Sequence, residues 1–377
     1  MSAVFMVAAR RTAVAPRNGA FAQIEAIDLA DTAIRAVLDD AGFPPADVDD
    51  VMFGNALYGG GNPARVAALK AGLPVTVPAS TVDTQCCAGL DAILLAAARI
   101  KAGEADAIVA GGVESFSRAP LRARSPKQPG EIPEPYDRPP FTPWPERDPD
   151  MIPAAATLAE EWDISREAQE AFAIESHRKA VARGCPTQEF VPVSGLVRDP
   201  FARRLSMGLC TRLPVLAGNA SHGVTAATIA VEADAAAAVL LVSETALSRC
   251  RLAGRAVRLV GGARSGGDPE RPGLAPVGAA RTALLRARLS AASLSVAEIM
   301  EAFAVQAMIC IQELALDPAR VNPGGGALAR GHPIGASGAI IAVRVWQELQ
   351  AQSSGATGLA AIAAAGGLGS ALLLCAE

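Results

Sequence analysis

The sequence predicts an α/β fold of two similar halves with a smaller unit inserted between them. Three observations carry that prediction. Short apolar runs alternate with amphipathic helical stretches along most of the chain, the pattern of strands buried between helices. A small-residue turn opens a helix twice, at Cys87-Ala88-Gly89 and at Ala336-Ser337-Gly338. An apolar strand and a glycine-rich segment follow each turn, Ala110-Gly111-Gly112-Val113-Glu114-Ser115 in one case and Ala365-Gly366-Gly367-Leu368-Gly369-Ser370 in the other, as in an internal duplication. Finally, residues 120–153 are dense in proline and charge, which interrupts the alternation between the two copies.

In chain order, residues 4–9 form an apolar strand, and residues 27–41 carry helical periodicity up to Gly42. Pro44-Pro45-Ala46-Asp47 begins a short helix, and Val51-Met52-Phe53-Gly54 is a strand. Asn62-Pro63-Ala64-Arg65 opens a helix that closes near Gly72, since Asn caps and Pro is tolerated at the first helical position. Residues 90–101 hold apolar residues through successive turns with no Gly or Pro, so they read as a buried helix. Residues 120–153 are an extended arm or lid, and residues 154–183 are helical, with a helix start at Ser165-Arg166-Glu167. A loop-rich region runs to His222, and residues 235–243 return to buried strand. Residues 351–376 carry no charge and could cross a bilayer by length alone. Gly355, Gly358, Gly366, Gly367 and Gly369 divide them, so two buried strands joined by a glycine turn are expected instead.

The 377 residues are enough for two or three lobes. A net charge of −4 with mixed signs argues against a nucleic-acid or polybasic membrane partner. Seven cysteines, an odd number without paired spacing, fit a reducing compartment, and no Cys or His spacing resembles a metal site. The first eleven residues lack the apolar core of a signal peptide. A cytoplasmic protein is expected.

Two stretches carry chemistry. Cys86 and Cys87 stand where a polar turn hands over to the helix of residues 90–101. Unpaired N–H groups at a helix start favour an anion, so the position predicts a thiol lowered toward a thiolate. Of three histidines, His177 sits beside Arg178 and Lys179 and is expected on a solvated surface. His222 follows a Gly-Asn-Ala-Ser turn and fits either a loop or a pocket. His332 is held between Gly331 and Pro333 in a stretch of glycines and prolines from Asn322 to Gly338. Constrained loops of that kind are where catalytic groups are placed. A thiol and an imidazole together supply a nucleophile and its base.

These residues resemble the thiolase family over nearly the whole chain. The matches run in order: Val82-Asp83-Thr84-Gln85-Cys86 with Gly89-Leu90, Gly111-Gly112-Val113-Glu114-Ser115, Gly218-Asn219-Ala220-Ser221, Glu301-Ala302-Phe303-Ala304 and the His332 stretch. The resemblance implies a thiolase fold, two duplicated βαβαβαββ halves in α-β-α-β-α layers. The halves would comprise residues 1–117 with 223–250, and residues 251–377, around a CoA-binding insert at 118–222. It further implies that Cys86 accepts an acyl group from a CoA thioester and that His332 activates it. Backbone N–H groups of Cys86 and Ala365 would form an oxyanion hole. Ser221, Met151 and Phe303 would contact CoA or the acyl chain, with CoA as a substrate and no further cofactor or metal. A homodimer or homotetramer is implied as well.

Two positions depart from the family pattern. Met300 stands where an Asn usually precedes Glu-Ala-Phe and holds a water, and Ala363 stands where a second cysteine shuttles a proton. Asp150 replaces a His that often precedes Met151, and the segment between Pro192 and Gly218 is short. Acyl loading needs only a nucleophile, a base and an oxyanion hole, whereas carbon–carbon chemistry also needs a base for a weakly acidic carbon. The leading expectation is 3-ketoacyl-CoA thiolysis or Claisen condensation. The alternatives are a Cys–His enzyme of acyl transfer or decarboxylative condensation that lacks the second cysteine, and a weakly catalytic acyl-CoA-binding subunit of a complex.

Overall fold

The computed structural model describes residues 3–251 and 253–377. Met1 and Ser2, at the head of the segment read as lacking a leader, lie outside the described residues, as does Leu252.

Nine strands carry the architecture: β1 (Val4–Arg11), β2 (Asp50–Gly54), β3 (Ala79–Val82), β4 (Ala107–Glu114), β5 (Ala233–Ser243), β6 (Val257–Gly266), β7 (Val296–Ile299), β8 (Thr357–Ala364) and β9 (Leu368–Ala376). The spatial order is β7-β8-β9-β6-β1-β5-β4-β2-β3. From β1 outward the first half reads β1-β5-β4-β2, antiparallel, antiparallel, parallel. From β6 outward the second reads β6-β9-β8-β7 with the same sequence of directions. Only Phe5↔Arg258 and Met6↔Val257 join β1 to β6, so two sheets meet at a narrow seam.

The two sheets repeat one topology, but the two glycine segments that resemble each other in sequence are not equivalent in it. Gly111 and Gly112 lie inside β4, opposite Ala238 and Ala237. Gly366 and Gly367, both at φ 77°, form the β8–β9 turn. Gly111 is needed for close approach to Ala237 of the neighbouring strand, Gly112 for close approach to Gly335 of the facing segment, and Gly366 and Gly367 for left-handed backbone.

Helices complete five layers. α1 (Ala26–Ala41) and α2 (Pro63–Lys70) cover the outer face of the first sheet, packing on Val7, Phe53, Val109 and Leu240. α3 (Ala88–Ala102) and α8 (Ile334–Leu349) lie between the sheets. α6 (Ala275–Ala287) and α7 (Ala304–Glu313) cover the far face on Leu359, Ala361 and Leu373. Alternate residues of each strand face the two sides. In β5, Ala237, Val239 and Leu241 enter the central layer, while Ala236, Ala238 and Leu240 enter the outer one.

The central layer is tight because α3 and α8 meet at glycines. A Cβ on Gly89 would lie 2.7 Å from Gly335 O, and one on Gly338 would lie 2.5 Å from Leu90 N. A helical glycine costs about 1 kcal/mol relative to alanine. Each of Leu90, Ile93 and Val343, wholly buried by the same approach, contributes about 2 kcal/mol. Close packing therefore wins over helix propensity.

The region between the halves departs from the sheets as expected. Residues 120–150 are irregular apart from a two-strand bridge, Ala123–Arg124 with Glu134–Pro135, and a single helical turn at Pro145–Arg147. The stretch read as one helical region is two helices, α4 (Met151–Glu161) and α5 (Arg166–Arg183), and Ser165 caps α5 by accepting from Ala168 N. Residues 351–376 are the β8–β9 hairpin, and among the described residues no helix is long and apolar enough to cross a membrane.

Candidate active site

Cys86 ends the connection from β3 and stands two residues before α3, in a single tight turn over Gln85–Cys87. Gln85 takes left-handed backbone at φ 50°, its N–H donating to Asp83 Oδ1 at 3.0 Å. This bend aims Cys86 Sγ out of the helix start while Cys87 turns inward, where its thiol donates to Ile362 O at 3.6 Å. Cys87 is therefore a core residue.

His332 arrives from the other half, on the loop before α8. Gly331 at φ 117° makes the bend, and His332 N donates to Val231 O at 2.7 Å. Upstream the loop is pinned by Asn322, which pairs with the backbone of Ile299, and by Glu301, which is 1% exposed. Glu301 accepts from Asn322 Nδ2 at 2.6 Å, Ser176 Oγ at 2.7 Å and Leu328 N at 3.2 Å. The ring ends with Nε2 3.2 Å from Cys86 Sγ and Nδ1 2.7 Å from Ser337 Oγ. Ser337 donates its one proton to Pro333 O at 3.0 Å, so Nδ1–H donates to Ser337 and Nε2 is left to accept from the thiol.

The resting charge state differs from the expectation for a helix start. Burial pushes the Cys86 thiol up to about 12, against the opposing pull of the N–H groups of Cys86 and Ala365. Burial likewise pushes His332 down to about 4. Desolvation outweighs the helix start, so the pair rests as neutral thiol and neutral imidazole rather than as a thiolate.

Cys86 and His332 open into a cavity of about 680 Å³ with mostly apolar walls. Met151, Phe303, Ala363 and Ala365 lie on its wall, as do Gln85, Leu158 and Gln306. Met300 does not: it is 3% exposed and packs in the central layer, with its N–H on Ala361 O. Ser221 also lies off the wall, on an exposed turn whose N–H donates to Asn219 Oδ1. His222 is in that loop too, 3.0 Å from Asp163 Oδ1. His177 corrects the reading from its charged neighbours. It is 1% exposed, lies at a tilt beside the Phe201 ring and is pushed down to about 4 by burial, because α5 turns this position under the 201–203 segment.

Glu114 carries no catalytic motif in the sequence, though an ionisable residue ending an otherwise apolar strand is a readable signal. It accepts from Asn55 Nδ2, Ala56 N, Leu57 N and Gly335 N at 2.9–3.2 Å. It thus fastens the β2 loop of one half to the start of α8 in the other, and burial pushes it up to about 7.

A thiol from one half and an imidazole from its duplicate, opening together into an apolar cavity, define a cysteine-dependent transferase built on paired α/β halves. A family model for the N-terminal domain of thiolase matches residues 4–245, and one for the C-terminal domain matches residues 254–376. The chain belongs to the thiolase family. It is 37% identical to a probable acetyl-CoA acyltransferase of Staphylococcus aureus, over 97% of each chain. It is also 37% identical to a putative acetyl-CoA C-acetyltransferase of Bacillus subtilis, over 99% of each. The structure resembles human mitochondrial 3-ketoacyl-CoA thiolase at a TM-score of 0.91 and 30% identity, covering 100% of this chain and 99% of that one. An acetyl-CoA acetyltransferase of Bacillus anthracis is similar at the same TM-score, identity and coverage.

Proposed function

We propose that this protein, a thiolase-type acyl-CoA acyltransferase, works through an acyl-Cys86 intermediate. The observation that carries the reading is the 3.2 Å approach of His332 Nε2 to Cys86 Sγ, with Nδ1 held by Ser337. Sγ attacks the thioester carbonyl as its proton passes to Nε2, and the carbonyl oxygen takes negative charge between the N–H groups of Cys86 and Ala365. The tetrahedral species collapses, the carbon–sulfur bond to CoA breaks, and the CoA sulfur takes the proton from His332. The products are acyl-Cys86 and free CoA, with no further cofactor or metal invoked.

The insert at 118–222 is the element that would hold CoA. Met151 and Phe303 line the approach to Cys86, and Arg203, Arg204 and Arg212 are exposed on the insert where phosphates could meet them. A solved human mitochondrial 3-ketoacyl-CoA thiolase of the same fold contains CoA. Ser221, on its exposed turn, would meet the pantetheine arm from outside the cavity wall.

The acyl acceptor is thiolase-like, a CoA thiol in cleavage or an acyl-CoA carbon in condensation. Ala363 on the wall favours a second reading, in which acyl transfer survives without the proton shuttle of an ordinary thiolase. We place the protein in the cytoplasm as a homodimer or homotetramer serving lipid metabolism.

Intact mass after mixing with short and medium acyl-CoAs tests the nucleophile. One acyl group is expected on the wild-type protein and none on Cys86→Ala. No adduct with any acyl-CoA would move the binding-subunit reading to the front. Steady-state thiolysis of acetoacetyl-CoA then separates the ordinary thiolase from an enzyme of acyl transfer alone.

A further inference from the structure

We propose that Asp91 is a positioning residue for acyl transfer: it ties the turn bearing the Cys86 N–H to the hairpin bearing the Ala365 N–H, and so sets the spacing of the two donors that receive the thioester oxygen. The inference rests on the acyl-cysteine reading above.

Asp91 lies in the first turn of α3 and is 1% exposed. An acidic residue there commonly stays in solvent, where it complements the helix dipole by about 0.3–1 kcal/mol. Burying the carboxylate costs more than that gain unless donors surround it. Asp91 has three, and each comes from a different segment. Ser370 Oγ donates to Oδ1 at 2.5 Å, Thr84 Oγ1 donates to Oδ2 at 2.7 Å, and Arg264 Nε reaches Oδ2 at 3.0 Å.

Two of those donors lead directly to the reacting groups. Thr84 precedes Cys86 by two residues, and its carbonyl accepts Cys87 N at 3.2 Å. Ser370 lies opposite Ile362 in the β8–β9 hairpin, whose turn begins at Ala365. The Cys87 thiol, on Ile362 O, reinforces the same junction. The N–H of Cys86 and that of Ala365 belong to different strands of chain separated by 279 residues at the Asp91–Ser370 link. One carboxylate holds both. Asp91 is absent from the wall of the cavity, so it does not touch substrate and acts only through the groups it holds.

Three variants test this. Thr84→Val and Ser370→Ala each remove one tie, and Asp91→Asn keeps shape while losing an acceptor. Three quantities are read: the rate of Cys86 acylation at saturating acetyl-CoA and acetoacetyl-CoA, the rate of alkylation by iodoacetamide, and the thermal midpoint. Alkylation uses the thiol and His332 but develops no carbonyl oxyanion. Misplaced oxyanion donors should slow acylation by about tenfold to a hundredfold. Alkylation should slow by less than acylation, because there the same N–H groups bear only on the thiolate, and the acyl-CoA KM should stay within about threefold of wild type. Acylation at the wild-type rate in all three variants would overturn the positioning role alone. A parallel fall in acylation, alkylation and thermal midpoint would overturn it too, leaving Asp91 as packing. No adduct on the wild-type protein with either probe would remove the acyl-cysteine reading and this role with it.

Discussion

Ser337 Oγ accepts from His332 Nδ1 at 2.7 Å while donating its own proton to Pro333 O at 3.0 Å. The hydroxyl has no second proton to give, so it selects the imidazole tautomer whose free nitrogen faces Cys86 Sγ. Ser337 stands in the first turn of α8 and His332 two residues before the helix, so the helix start holds the two side chains together.

Ser337→Ala should therefore weaken the base without emptying the site. Alkylation of Cys86 by iodoacetamide is expected to slow by about tenfold to a hundredfold, below the full range for loss of a general base. The thermal midpoint should move little, since a single hydrogen bond is worth about 1 kcal/mol. An unchanged alkylation rate would show that the tautomer is set elsewhere.

The pH profile follows from the neutral pair. His332 accepts a proton only while Nε2 is free, which its value of about 4 maintains at ordinary pH. Acylation at saturating acyl-CoA should be level from about pH 6 to about pH 9 and fall only as pH drops toward that of the imidazole. A rate that climbs through about pH 8.5, as a free thiol would, contradicts the neutral pair.

His177, within α5, supplies a stability test. Its folded value of about 4 lies below the ordinary 6.5. As pH falls below 6.5 the unfolded chain takes up the proton first, so stability is lost down to about 4 and then levels. Comparing denaturant unfolding at pH 7 and pH 4, His177→Gln should lose about 2 kcal/mol less than the wild type.

Glu114→Gln removes one of two acceptor oxygens that serve four donors, among them Gly335 N of the opposite half. A carboxamide N–H₂ would face N–H groups it cannot satisfy. Denaturant unfolding should report a loss of about 2–4 kcal/mol.

Gly338→Ala tests the contact between the halves. Its Cβ would stand 2.5 Å from Leu90 N, which is backbone and cannot swing aside. A loss of about 2–3 kcal/mol is expected in the same assay, with slower Cys86 alkylation as α3 and α8 part.

The sequence by itself determined the elements that depend on neighbours along the chain. The helix start at Ser165, the α2 start at Asn62-Pro63 and the strand pair of residues 351–376 were legible because caps, prolines and glycine turns act within a few residues. Cys86 and His332 were legible for a related reason, each being a reactive side chain set in a constrained turn. Tertiary structure decided what those side chains experience. The thiol expected to be lowered by a helix start is raised, because desolvation depends on which surfaces close over it. His177, expected on a solvated surface beside Arg178 and Lys179, is buried by residues 201–203, and Met300 faces the core where Ala363 faces the cavity. Asp91 and Glu114 draw their meaning from donors in distant segments. Local torsions and periodicity write themselves into sequence, whereas solvation and the meeting of distant groups arise only when two halves pack glycine against backbone.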